Sequence, residues 1–123
     1  MARTVITPTP LAPNAKTDVV ATTINSGLVT AGVSITPLTG SFFMRVTNTA
    51  GAAHPVIIRA GAYPPGALAS QGDLTVTVAL TSGVEYIGPF ETARFAQADG
   101  SINVDLDTGH TGALEVYSIP KGY

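Results

Sequence analysis

A strict two-residue alternation of apolar and polar side chains after residue 100 constrains the fold of this chain most. Ile102, Val104 and Leu106 fall on one face of an extended backbone, and the polar residues between them fall on the other. This period is typical of a β-strand with one face in a core and one in water. Asp99-Gly100 is a tight-turn signal, because glycine takes positive φ without steric cost. Residues 88–106 are therefore predicted to form a strand, a turn and a strand, with Phe95 on the inner face of the first.

Further strand signals occur along the chain, separated by turns rich in Gly, Pro, Asn and Ser. They cover residues 19–24, 33–36, 41–48, 55–60, 74–80, 84–87 and 113–119. The alternation in 74–80 places Leu74, Val76, Val78 and Leu80 inward, and a turn at 81–83 is expected to make a hairpin with 84–87. No segment shows a 3.6-residue period with helix caps. The pattern predicts an all-β fold, an antiparallel β-sandwich that is either jelly-roll-like or immunoglobulin-like. Its predicted core contains Val76, Val78, Phe95, Ile102, Val104 and Leu114.

The composition favours a protein whose surface is in contact with partner proteins. Only 11% of the 123 residues are charged, against about 25% in an ordinary soluble domain. The formal net charge of -2 argues against binding to nucleic acid. The chain has no cysteine, no apolar run long enough for a membrane helix and no secretory h-region near its start. It is expected to be made in a cytoplasm and to stay or assemble there.

No catalytic or metal-binding constellation is evident in the sequence. Asp105-Leu106-Asp107 lacks the ligand spacing and the distal acid of a calcium loop. His54 and His110 are far apart in sequence, and each is expected to be solvated, with no nucleophile placed beside it. The sequence therefore predicts no enzyme activity, no cofactor and no metal.

The first 16 residues differ from the remainder of the chain. Pro8, Pro10 and Pro13 forbid a helix and make an interior strand unfavourable. Residues 1–16 are predicted to form an extended N-terminal arm and 17–123 the sandwich domain. A disordered tail explains the same prolines equally well.

Three stretches resemble small head decoration, or cement, proteins of tailed bacteriophages. They are MARTVITPTPLAPNA at the start, RVTNTAGAAHPVIIRAGAYPPGALASQGDLTVTV in the middle and GPFETARFAQADGSINVDLDTGHTGALEVYSIP towards the end. The phrase GPFETARFAQADGSINVD is the most specific, and residues 17–40 carry little of the likeness. The resemblance implies a structural virion protein on the outer surface of a capsid, assembled in the host cytoplasm. It implies the major capsid protein as a partner, and a homo-oligomer, trimer or dimer, at a symmetry axis.

The family resemblance transfers no residue roles, so the contact residues are a hypothesis about the arm. An extended segment can add to the sheet edge of a neighbouring subunit, where main-chain hydrogen bonds supply affinity. The arm is therefore expected to be mobile in the free protein and ordered on the shell. An alternative function from another class is a carbohydrate- or host-surface-binding module of a phage particle. The predicted capsid or subunit contacts are Arg3, Val5, Ile6, Pro8, Pro10, Leu11 and Tyr63.

Overall fold

The computed structural model describes residues 3–35, 41–61, 72–89, 95, 97 and 101–119. Within them the chain forms short strands and one short helix, as the sequence predicts for an all-β protein. In chain order these are β1 (Thr4–Ile6), β2 (Thr9–Pro10), β3 (Thr22–Ile24), α1 (Ser26–Ala31), β4 (Val33–Ile35), β5 (Ser41–Asn48), β6 (His54–Ile58), β7 (Leu74–Val78), β8 (Gly83–Ile87), β9 (Ile102–Leu106) and β10 (Gly112–Ile119).

The strands form two sheets that pack together as a sandwich. Sheet A has the order β1-β4-β9-β6-β7, and sheet B has the order β2-β10-β5-β8, with β3 also paired to β10. The inner pairs are antiparallel, but β1 runs parallel to β4 and β2 runs parallel to β10. The sandwich is therefore mixed at two edges, where the N-terminal strands are added.

The core lies between the sheets and follows the alternation in the sequence. Along β9, Ile102, Val104 and Leu106 are buried while the residues between them are half-buried. The predicted core residues Val78, Phe95, Ile102, Val104 and Leu114 are all buried, whereas Val76 is partly buried against the core. Leu80 was predicted to face inward but is 52% exposed, because β7 ends at Val78 and the chain then leaves sheet A.

The hairpin predicted from 74–80 and 84–87 is wrong. β7 and β8 lie in different sheets, so the turn at 81–83 is a crossover between the sheets. β9 pairs with β4 on one side and with β6 on the other, and most residues of the first strand predicted for the 88–106 hairpin lie outside the described residues. Phe95 is buried in a helical conformation, while the Asp99-Gly100 turn lies outside the described residues. Alternation identified which residues face the core but not which strands are neighbours.

Helix α1 was not predicted, although its first residues carry a cap. Asn25 has an extended backbone, and its side-chain oxygen accepts a hydrogen bond from the Leu28 N–H at 2.9 Å. This is the usual arrangement at a helix N-terminus. Six residues are too few to display a 3.6-residue period, so the sequence pattern did not predict this helix. Leu28 anchors the helix in the core.

The N-terminal segment is extended, but the structure places it in the protein's own sheets. β1 extends sheet A beside β4, and β2 extends sheet B beside β10. Ile6 packs against the core and Pro8 is buried, whereas Val5 is 64% exposed. Prolines are tolerated here because both strands lie at edges. The segment was expected to pair with the sheet edge of a neighbouring subunit, and this expectation is corrected because β1 and β2 pair within the chain. The domain boundary after residue 16 stays a prediction.

Arg3 fastens the segment to sheet A. Its Nη1 donates to the Asp105 Oδ1 at 2.7 Å and lies within 3.3 Å of the carbonyl oxygens of Val33 and Val104. The side chain passes over Gly32, which has φ 77, and a Cβ there would lie 2.6 Å from the same Nη1. Glycine at 32 therefore provides both the backbone conformation and the space that the arginine needs.

We expect Ile6→Ala to destabilise the isolated protein and Val5→Ala to leave it nearly unchanged. Ile6 is half-buried against the core, so its truncation should cost roughly 2 kcal/mol, the lower end for such changes. The exposed Val5 should cost less than about 0.5 kcal/mol. Urea denaturation of both variants measures the two losses. Equal small losses would mean that the segment does not belong to the sheets in solution.

Candidate functional site

An open groove of about 450 Å³ lies on the outer face of sheet B. The outward-facing side chains of β5, β8 and β10 form its floor, since successive residues of each strand point alternately to the core and to this face. The segment between β2 and β3 forms its other side. The lining residues are Leu11, Thr17, Val19, Phe43, Arg45, Tyr86, Glu115 and Tyr117.

Three aromatic rings converge in this groove. The Phe43 ring lies between the other two, with centroids 6.4 Å from Tyr86 and 5.7 Å from Tyr117. The rings are tilted by 44° and 40°, an arrangement that aromatic quadrupoles favour over a flat stack. Tyr86 is 70% exposed. The groove therefore presents apolar ring surface to solvent, beside the more deeply placed Tyr117.

An ion pair and a phenol form the polar floor of the groove. Arg45 Nη1 donates to Glu115 Oε2 at 2.5 Å, and the Tyr117 hydroxyl donates to Glu115 Oε1 at 2.5 Å. Glu115 is only 4% exposed. Each of its two oxygens accepts a hydrogen bond from a donor of the same chain. A buried carboxylate without such partners would be strongly destabilising. The network fixes the position of the Arg45 guanidinium.

Hydrogen bonding shifts the titration of both donors in this network. The Tyr117 phenol is bonded to the Glu115 carboxylate and is buried, and both effects raise the pKa of Tyr117. The bond to Glu115 likewise raises the pKa of Arg45, while burial opposes it. Both side chains therefore keep their protons around neutral pH, and the groove carries one positive and one negative charge that compensate each other.

Strand register brings these residues together. Arg45 on β5 lies opposite Glu115 on β10 and opposite Tyr86 on β8. The guanidinium carbon is 5.9 Å from the centroid of the Tyr86 ring, within the range of a cation–π interaction. Sequence reasoning missed this site, because three residues on three strands become neighbours only when the pairing is known.

The predicted contact residues of the N-terminal segment have different surroundings. Arg3 is paired with Asp105, and Ile6 and Pro8 face the protein's own core. Val5 and Pro10 are exposed. Leu11 lines the groove, and its N–H donates to the Ser118 carbonyl at 2.9 Å. Tyr63 lies outside the described residues, so its role as a capsid or subunit contact stays a prediction.

A second cluster joins the two histidines at one end of the sandwich. His54 Nδ1 is 2.7 Å from Asp107 Oδ2, and the His54 and His110 rings stack with centroids 5.7 Å apart. His110 is 1% exposed, and its Nε2 is 3.0 Å from the Thr47 carbonyl oxygen. The expectation that both histidines are solvated is therefore wrong. They are distant in sequence, but the turn after β9 and the start of β6 bring them together.

The environment of His110 favours the neutral imidazole. Nε2 must carry the proton to donate to Thr47, so Nδ1 is the unprotonated nitrogen, and it is buried without a hydrogen-bond partner among the described residues. Burial lowers the pKa of His110, and the nearby His54 acts in the same direction, while the Thr47 bond and Asp107 oppose them. The described residues contain no group of three or more His, Asp or Glu side chains arranged to hold a metal ion.

Comparison of the chain with protein-family models, with curated proteins and with solved structures finds no match. Over the part of the chain that the structure describes, no helix has the length and apolar character needed to cross a membrane.

The His110 environment predicts a loss of stability on acidification. The unfolded chain takes up a proton near pH 6.5, whereas the folded protein resists it, so the unfolded state binds more protons below that pH. The contribution of His110 to the free energy of unfolding should therefore fall as the pH drops below about 6.5, by up to about 1.4 kcal/mol per pH unit. Urea denaturation between pH 7.5 and 5.0 measures this slope.

The matched control for this measurement is His110→Gln. Glutamine can still donate to the Thr47 carbonyl but does not titrate, and His54 and Asp107 remain in both proteins. We expect a shallower acid slope in the variant, whatever its stability at pH 7.5. Identical slopes in the two proteins would contradict the assignment of the acid sensitivity to His110.

Proposed function

We propose that the protein is a structural component of a phage particle that binds the outer surface of the capsid and stabilises the shell. The proposal includes no catalysis and takes the major capsid protein as the partner. The three stretches that resemble phage head decoration proteins support it. The middle and end stretches contribute all or part of β5, β6, β7, β9 and β10.

The single observation that carries the proposal is the pairing of positive with negative side chains within the chain. Each arginine and lysine among the described residues is paired with a carboxylate of the same chain: Arg3 with Asp105, Lys16 with Asp18, Arg45 with Glu115, and Arg59 with Asp73 and Asp105. Apart from the pair with the buried Glu115, these pairs are at least partly exposed and add little stability. Their consequence is a surface with little unbalanced positive charge to attract a polyanion.

Exposed apolar side chains accompany this neutral surface. Among the described residues, six large apolar side chains are exposed, on strands of both sheets and on the connections between strands: Val5, Val19, Val20, Leu80, Val84 and Tyr86. A protein partner would gain by covering them, since burying apolar surface yields about 25 cal/mol per Å². Their distribution over several sides suits a subunit that packs among neighbours, as on a shell.

Repetition reduces the affinity that each contact needs. A capsid presents the same binding position many times, and subunits that also contact one another hold each other in place through effective concentration. A homo-oligomer on the shell, a trimer or dimer, fits this arrangement. In this proposal the outer side of β1, which carries Val5, contacts the shell while its inner side remains in the protein's own core.

We expect the purified protein to co-sediment with empty shells of its own phage and to raise the temperature at which the shells break down. Val5→Asp should weaken co-sedimentation, because it places a charge on an exposed apolar position of β1. Thr75→Asp, at an exposed position of β7, is the control and should bind like the unmodified protein. Shells that neither bind the protein nor gain heat resistance from it would contradict the proposed function.

A further inference from the structure

We infer that the groove on the outer face of sheet B is a binding site for a neutral saccharide. The inference does not rest on the proposed role on the shell, because the groove is formed within one chain. It is carried by the arrangement of Phe43, Tyr86 and Tyr117 around the Arg45–Glu115 ion pair.

The dimensions of the groove suit one or two sugar rings. Its volume of about 450 Å³ lies within the usual range for small-molecule sites. The groove is open to solvent. It is bounded by the apolar side chains of Leu11 and Val19 on one side and by Tyr86 on the other. An open groove of this kind can accept one residue of a longer chain, which a closed cavity cannot.

The aromatic rings match the apolar face of a hexose. A pyranose ring presents axial C–H groups on one side, and these pack against the π-face of an aromatic side chain. Tyr86 supplies such a surface at 70% exposure, and the half-buried Phe43 ring lies beside it. The Phe43 ring is tilted by 44° against Tyr86 and by 40° against Tyr117, so the three rings offer faces in more than one direction.

The polar floor matches the hydroxyl groups. A guanidinium has five N–H donors, which is more than the ion pair with Glu115 requires, and the Arg45 side chain is 31% exposed. Glu115 holds this guanidinium from behind, and Tyr117 holds Glu115. Donors fixed in this way bind without first losing side-chain freedom, which lowers the cost of association.

Charge and geometry favour a neutral sugar over the other ligands of aromatic grooves. The Arg45 charge is already compensated by Glu115, so an anionic group gains little there. Extended proline-rich peptides bind aromatic-lined grooves, whereas here Tyr86 lies against the Arg45 guanidinium and Tyr117 is bonded to Glu115, which places polar groups between the rings. The lining contains one carboxylate, and hydrolysis of a glycosidic bond ordinarily uses two. The inference is therefore binding without turnover.

The test is an NMR titration of the full chain with maltotriose, cellotriose, mannobiose, galactobiose and chitobiose. N-acetylneuraminic acid and a proline-rich decapeptide are included as competing ligand classes. We expect at least one neutral oligosaccharide to give saturable shifts of the Tyr86 and Phe43 ring resonances, with a Kd of roughly 1 mM or below. The absence of saturable shifts for every neutral sugar up to about 20 mM would overturn the inference. Binding confined to the anionic sugar or to the peptide would also overturn it.

Variants of exposed residues locate the site without disturbing the fold. Tyr86→Ala should weaken binding by at least about tenfold, and Tyr86→Phe, which keeps the ring, should retain it within about threefold. Val84→Ala, on the same strand but outside the groove, is the control and should bind as the unmodified protein does. Unchanged affinity in Tyr86→Ala would place the sugar elsewhere and would overturn the assignment.

Discussion

The pairing of β5 with β10 is the interaction on which the architecture of sheet B and its groove depends. Its register sets Met44 opposite Val116 and Val46 opposite Leu114 on the buried face, and Arg45 opposite Glu115 on the outer face. A shift of either strand by one residue would exchange its two faces and place its charged residue, Arg45 or Glu115, in the core. Burial of the apolar set therefore excludes the alternative registers, and the same exclusion assembles the groove. The positions of the groove residues on the outer face therefore follow from the packing of the apolar residues in the core.

The alternation in the sequence predicted much of this fold, and the limits of the prediction have a physical reason. Strands β5, β6, β9 and β10 lie close to the predicted segments, because a two-residue period reports directly which side chains are buried. The same period contains no information on which sheet a strand joins. Two strands joined by a short turn can pair with each other or cross between sheets. The connection between β7 and β8 crosses, and Phe95, predicted on a strand, has a helical conformation.

The candidate sites were harder to predict than the fold, because they are built from residues distant in sequence. Arg45 and Glu115 were visible as isolated charges, and their pairing required the register of β5 and β10. His54 and His110 were individually unremarkable and were expected in solvent. Their burial follows from the position of the turn after β9 against the start of β6, which no local pattern reports. Packing there is close: a Cβ at Gly109 would lie 3.3 Å from His54 Cε1, and one at Gly112 would overlap the Thr47 carbonyl oxygen.

The attachment of the N-terminal segment to both sheets has a consequence for the order in which the chain can fold. Thr9 and Pro10 pair with Tyr117 and Ser118, so the first strand of sheet B needs a partner more than 100 residues later in the chain. Sheet B lacks its central strand until residues 112–119 have been synthesised. Most of its contacts close long loops, an entropic cost that slows folding. A nascent chain shorter than this carries the exposed inner face of β5, with Phe42, Met44 and Val46, and must be protected from association until its last strand arrives.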